Sequence, residues 1–297
     1  MSPATKLNTL SGIMVRQAMR RQIIHQPQTA TIANAIACLI KFKVNALMVA
    51  DHRKQPVGVI SKTDIMGAYY AGLPTDTPLE FIMNSPLLFC TPDESLERAL
   101  ETMRSHKIYR LYVKDMDSDK ILGTLAYPDI VGILYQYCHQ CPYSKFNLKR
   151  QNEKEDARLR YLVKEVMTPD VKAVDKEVSL TEVMEEISLN RFGAMLITDQ
   201  NKPCGVISKT DLVLNYKHGL NPETKAEVVM SSPVRSCDAH MHLEDAIKEM
   251  ILFDIQRLFI HQDDPEKIVG VLSLSDTARS RSGSCHACIS SRIKIDE

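Results

Sequence analysis

Two residue patterns in this 297-residue chain bring reactive groups to regular spacings, and the first is a pair of thiol clusters, Cys138-His139-Gln140-Cys141 and Cys285-His286-Ala287-Cys288. Cys-x-x-Cys spacing lets two thiolates hold one metal ion. Two such pairs brought together would make a four-thiolate site suited to zinc or an iron–sulfur cluster, with His139 and His286 as further ligands or as partners that orient the ligands. The same spacing allows each pair to close to a disulfide, although the strand and helix that flank a thioredoxin-type pair are missing. Metal site, thiol switch and no role at all stay open. The other four of the eight cysteines, Cys38, Cys90, Cys204 and Cys237, stand alone and read as small apolar packing residues.

The second pattern is an apolar strand that ends in Ser-x-x-Asp. Gly58-Val59-Ile60-Ser61-Lys62-Thr63-Asp64 recurs unchanged as Gly205-Val206-Ile207-Ser208-Lys209-Thr210-Asp211, 147 residues further on. A serine followed by an acidic residue three positions later is an N-cap with a charged first turn, contributing about 1 kcal/mol to its helix. Lys62 and Lys209, between the two, read as solvated side chains.

These motifs sit in a duplicated chain. The offset of 147 also relates Gly123 to Gly270, Asp129 to Asp276, Met83 to Met230 and Cys138 to Cys285. Each half is doubled again, because Met19, Met83, Met167 and Met230 each precede a unit at a similar interval. The third unit is the most legible: a strand over Val171–Val174, a capping box Ser179-Leu180-Thr181-Glu182 opening a helix, a strand over Ala194–Thr198, turn residues Asp199–Pro203, a strand over Gly205–Ile207, and a helix opened by Ser208. The predicted class is α+β, four β-α-β-β-α units. Helix stripes at Ile32, Ile36, Leu39 and Ile40, at Leu96, Leu100 and Met103, at Leu180, Val183, Met184 and Ile187, and at Leu243, Ile247 and Met250 supply the core faces. A three-stranded unit with two helices leaves apolar faces to cover, so units one and two, and three and four, are expected to pair, and the pairs to stack on each other or on a second chain.

The motif, in four copies, resembles the cystathionine-β-synthase (CBS) domain family across nearly the whole chain. The four-repeat pattern is similar to the γ regulatory subunits of AMP-activated protein kinase, through Gly270-Val271-Leu272-Ser273-Leu274-Ser275-Asp276, His106-Lys107-Ile108-Tyr109-Arg110-Leu111 and Arg257-Leu258. The resemblance implies binding of an adenine nucleotide (AMP, ADP or ATP) or S-adenosylmethionine. It makes Asp64, Asp211 and Asp276 ribose ligands, places Ser61, Ser208, Ser273 and Ser275 on the phosphate side, and makes Arg110 and Arg257 phosphate clamps. The chemistry agrees: a carboxylate in a first helical turn can accept from both vicinal ribose hydroxyls, while the helix N-terminus and an Arg fork favour phosphate. Departures from the family are Tyr109 and Gln256 where it often has His, and Ala126 and Pro128 in the second unit, whose cleft is expected to be empty.

The remaining features bound the function. Lys plus Arg and Asp plus Glu both total 37, and no basic run is interleaved with aromatics, so a nucleic-acid partner is not expected. No apolar run approaches the roughly 20 residues of a membrane span, and residues 1–10 do not read as a signal peptide, so a cytoplasmic location is expected. Residues 1–13 read as a tail, 14–148 as the first pair, 149–160 as a charged linker and 161–297 as the second pair. No phosphate-binding loop, nucleophile elbow or zincin motif is present, so catalysis is not expected. The reading that results is a nucleotide-sensing regulatory protein, expected to dimerise and to act on an effector protein. The alternatives are a metal or thiol sensor that uses the repeats as scaffold and, third, an oxidoreductase built on the thiol pairs.

Overall fold

The computed structural model describes residues 12–140, 162–169 and 171–281, with side chains described except at 134–140 and 279–281. Each repeat forms the predicted β-α-β-β-α order. The first comprises α1 (Val15–Ala18), β1 (His25–Pro27), α2 (Ile32–Lys41), β2 (Ala46–Ala50), β3 (Pro56–Ser61) and α3 (Lys62–Tyr70). The second has β4 (Phe89–Cys90), α4 (Leu96–Ser105), β5 (Arg110–Lys114), β6 (Ile121–Ala126) and α5 (Tyr127–Gln140). The third has β7 (Ala173–Asp175), α6 (Leu180–Leu189), β8 (Ala194–Asp199), β9 (Lys202–Ser208) and α7 (Lys209–Lys217). The fourth adds α8 (Ala226–Val229), β10 (Ser236–Asp238), α9 (Leu243–Leu252), β11 (Arg257–Gln262), β12 (Asp264–Ser273) and α10 (Leu274–Arg281).

In every sheet the first strand runs parallel to the second, and the second pairs antiparallel with the third. The central strand therefore has neighbours on both edges, which is why β2 is buried along its whole length. The first strand of the third repeat begins at Ala173, two residues after the predicted start. Ser179 caps α6, its Oγ accepting from Glu182 N at 3.2 Å, but the predicted reciprocal half of that box does not form. The boxes that close at α2, α3 and α7 have the shorter Asn34, Asp64 and Asp211 at that position, side chains that lose less rotamer freedom than Glu when fixed.

Compactness groups the repeats across the duplication. One unit comprises Met1–Gln22, Leu88–Asp170 and Ser236–Glu297, and so contains the sheets of repeats two and four; the other comprises Ile23–Leu87 and Val171–Arg235, with those of repeats one and three. Each unit has a shared apolar core. In the second, Ile36, Leu39, Leu47, Ile65 and Tyr69 are buried together with Val183, Ile187, Ile197, Leu212 and Tyr216. In the first, Leu100, Met103, Leu111, Ile130 and Val131 are buried with Ile247, Met250, Leu258, Leu272 and Ala278. All the predicted helix-stripe residues are buried in these cores except Ile40, which packs against the rim.

Inside each unit the opening segments are exchanged, each pairing with the third strand of another repeat. The segment that opens repeat two bridges β3 of repeat one (Asn84 to Val59), and the segment before repeat one bridges β6 of repeat two (Arg20 to Thr124). The same exchange joins Ser231 to Val206 and Thr168 to Val271. This explains the motif glycine. A Cβ on Gly205 would stand 2.5 Å from Met230 Sδ, and one on Gly123 would enter the Arg20 carbonyl, so only glycine admits the crossing segment.

Candidate functional site

In the unit built from repeats one and three, α3 and α7 pack together through hydrogen bonds that recur 147 residues apart. Tyr69 and Tyr216 stack with ring centroids 4.8 Å apart. Tyr69 Oη donates to Leu220 O at 2.8 Å and Tyr216 Oη to Leu73 O at 2.5 Å. Burial pushes the Tyr69 phenol up to about 12. At the N-terminal ends Lys62 Nζ donates to Thr210 Oγ1 and Lys209 Nζ to Thr63 Oγ1, both at 2.9 Å. The two lysines are thus not simply solvated, as the sequence suggested. Each reaches across the local pseudo-twofold to the first turn of the other helix, which concentrates two ammonium groups and two helix N-termini in one place.

The predicted ribose ligands are first of all caps. Asp64 Oδ2 accepts from Ser61 N at 2.6 Å and Ser61 Oγ at 2.7 Å; Asp211 Oδ2 accepts from Ser208 N and Oγ, both at 2.7 Å. Their second oxygens differ. Asp64 Oδ1 accepts from Asn84 Nδ2 at 2.6 Å, whereas Asp211 Oδ1 accepts no hydrogen bond among the described residues. Sequence reading missed Asn84, although the 147-residue offset pairs it with Ser231, too short for the same role.

In the unit built from repeats two and four, Arg110 and Arg257 open β5 and β11, and Arg257 stands opposite Ser273 in the ladder. Burial lowers the Arg257 guanidinium, with Tyr109 and Asp276 opposing that effect. Burial likewise lowers Arg110, countered by Tyr112 and Asp129. Ser273 caps α10: Asp276 Oδ2 accepts from Ser273 N at 3.0 Å and from its Oγ at 2.5 Å, and the Ser273 and Ser275 hydroxyls are 2.7 Å apart. The degenerate second repeat is closed differently. Asp129 Oδ2 accepts from Ala126 N at 2.9 Å, its Oδ1 is taken by Arg20, and its side chain is 5% exposed. Both carboxylate oxygens of Asp129 are thus engaged within the protein. Arg20 had no sequence signal beyond following Met19.

The structure thus brings Ser61 and Asp64 together with Ser208 and Asp211 in one unit, and Arg110 with Arg257, Ser273, Ser275 and Asp276 in the other. Cys138 falls in the last turn of α5, beyond the described side chains, and Cys141, Cys285 and Cys288 lie outside the described residues. Of the lone cysteines, Cys90 and Cys237 are buried, and burial pushes both thiols up to about 12. Cys38 and Cys204 are only partly buried, and each makes a hydrogen bond, with Gln26 and with the Ile197 carbonyl. Among the described residues, no helix is long and apolar enough to cross a membrane.

Comparison with known proteins gives this architecture relatives. The profile of the CBS domain matches residues 15–71, 79–135, 163–218 and 226–283. An uncharacterized protein of Methanocaldococcus jannaschii is 21% identical over 201 residues, 67% of this chain and 69% of its own. Its crystal structure, described as that of a candidate archaeal homologue of the γ subunit of AMP-activated protein kinase, superposes with a TM-score of 0.74 at 16% identity, covering 90% of this chain and 99% of that one. The human 5'-AMP-activated protein kinase subunit gamma-3 is 23% identical over 82% of this chain, which spans 53% of that subunit's length.

Proposed function

Because the chain belongs to the CBS domain family, with four repeats in two tandem pairs, we propose that it is a regulatory protein that senses an adenine nucleotide and performs no catalysis of its own. The observation that carries this reading is the state of three of the four motif carboxylates. Asp64 and Asp129 have both oxygens engaged within the protein, whereas Asp211 keeps Oδ1 available at the first turn of α7. That oxygen can accept from a ribose hydroxyl, and Ser208, Lys62 and Lys209 lie beside the same helix N-terminus, where phosphate is favoured. Arg257, with Ser273, Ser275 and Asp276, forms the second candidate set, an Arg fork beside a capped helix. Binding would favour one packing of the repeats, and an effector protein or a second copy would respond to that shift.

The test is a ligand panel on the purified chain. AMP, ADP, ATP and S-adenosylmethionine are each added at millimolar concentration, and at least one adenine ligand should raise the melting temperature, since a ligand that binds only the folded state stabilises it by mass action. No shift with any of the four sinks the reading.

A second reading concerns the thiol pairs. Helices α5 and α10 pack on each other in one unit, and Cys138 lies within the first while Cys285 and Cys288 follow the second in sequence. We propose that Cys138, Cys141, Cys285 and Cys288 hold zinc or an iron–sulfur cluster. Protein purified without chelator should then carry metal that serine at Cys138 and Cys141 removes; metal-free protein with freely reactive thiols contradicts it.

A further inference from the structure

Among the described residues, the fourth repeat carries a cluster of ligating side chains without a counterpart in the others. Asp238 ends β10, His240 follows two residues later, His261 is the ladder partner of Asp238 on β11, and Asp263 is the turn residue between β11 and β12. Ligand atoms of Asp238, His240 and Asp263 all lie within 4.8 Å of one another. His240 Nδ1 is 3.2 Å from Asp238 Oδ1, and His261 Nε2 is 4.0 Å from Asp238 Oδ2.

We propose that Asp238, His240, His261 and Asp263 form a surface binding site for a borderline divalent cation of the zinc class. Three observations point there. With bonds of about 2.1 Å, two tetrahedral ligands stand about 3.4 Å apart, and the separations of 3.2 and 4.0 Å straddle that value. Second, His261 is held from behind: its Nδ1 lies 2.9 Å from Ser236 Oγ, which leaves Nε2 facing the carboxylate at a distance too long for a hydrogen bond. With the His261 proton on Nδ1, towards Ser236, a bound cation fits between the Nε2 lone pair and the Asp238 carboxylate, whose oxygens also accept from His240 N at 2.7 Å and Asp263 N at 3.3 Å.

The third observation is charge. At the equivalent positions the second repeat has Thr91, Asp93, Lys114 and Met116, and Lys114 provides its own cation, 2.6 Å from Asp119 and over the Phe89 ring. The third repeat pairs Lys176 with Asp199 at 2.9 Å. In the fourth, no Lys or Arg pairs with Asp238 or Asp263 among the described residues, and a divalent cation would supply the positive charge there. The mixed nitrogen and oxygen set excludes a preference for magnesium or calcium, which favour oxygen alone. His240 and Asp238 are about half and one-third exposed, so water completes the shell.

Chelator-washed full-length protein is titrated with Co2+, followed by absorbance and displaced by Zn2+. Ligation here gives weak d–d bands, whereas ligation at the thiol pairs gives an intense near-ultraviolet sulfur charge-transfer band, so the two sites separate in one spectrum. His261→Ala and Asp238→Asn should each weaken the non-sulfur binding at least about tenfold, the lower end of what even outer-shell changes cost. In the wild-type protein, Zn2+ should protect His240 and His261, among the nine histidines, from diethylpyrocarbonate. Absence of the non-sulfur bands, or no protection of these two rings, overturns the site regardless of how the variants fold.

Discussion

Replacing Asp211 separates its two roles. Asp211→Ala removes Oδ2, which closes the α7 cap through two hydrogen bonds at 2.7 Å, and Oδ1, which accepts nothing among the described residues. Loss of the cap costs about 1 kcal/mol and loss of the first-turn charge about 0.3–1 kcal/mol. At a few degrees per kcal/mol, the melting temperature should fall by about 3–6 °C. Ser208→Ala disrupts the same cap but leaves Oδ1 in place, so the fall in melting temperature that it shares with Asp211→Ala is the part due to the cap. If Oδ1 receives a ribose hydroxyl, its removal leaves that hydroxyl unpaired, at about 1–3 kcal/mol, or roughly 5- to 150-fold in Kd. Isothermal titration with AMP and with 2′-deoxy-AMP reads this. The wild type should discriminate between the two ligands, and Asp211→Ala should not. Asp64→Ala should weaken binding no more than Ser61→Ala does, since Asn84 already holds Asp64 Oδ1. An Asp211→Ala protein that melts lower yet binds AMP within twofold of wild type would refute the reasoning, leaving Asp211 as a cap alone.

Gly123→Ala should destabilise more than Gly205→Ala. The new methyl meets the Arg20 carbonyl, which is backbone, in the first case and the Met230 side chain in the second, and overpacking costs about 1–3 kcal/mol; urea unfolding of the two variants should rank them in that order. Cys90, with its thiol pushed up to about 12 by burial and by Glu94, stays neutral in the folded protein while the unfolded chain ionises near pH ~8.5. Its contribution is present in full below that pH and lost as pH rises towards 12, so melting temperature should fall above about pH 8.5, and Cys90→Ala should reduce that slope.

Much of the fold was legible because the duplication repeats every local signal. Ser208 and Asp211 announce a cap by type and spacing, and Ile32, Ile36 and Leu39 announce a buried face by period, whatever surrounds them. The site was legible only in part. The Ser-x-x-Asp motif reads the same in the first and third repeats, so nothing local distinguishes Asp64, engaged by Asn84 from the crossing segment, from Asp211. Lys62 and Lys209 likewise look like any first-turn lysine until the partner helix stands opposite.

Residue type and spacing alone specify the four repeats, the order of their elements and the helix caps, because these depend on contacts within a few positions of the chain. Long-range packing alone sets which repeats share a core, which opening segment lies on which glycine, which motif carboxylate keeps an oxygen available, and that Asp238 and His240 gather with Asp263. Those depend on contacts between residues tens to hundreds of positions apart. Such contacts are selected by the burial of whole apolar faces, and the type and spacing of neighbouring residues do not encode them.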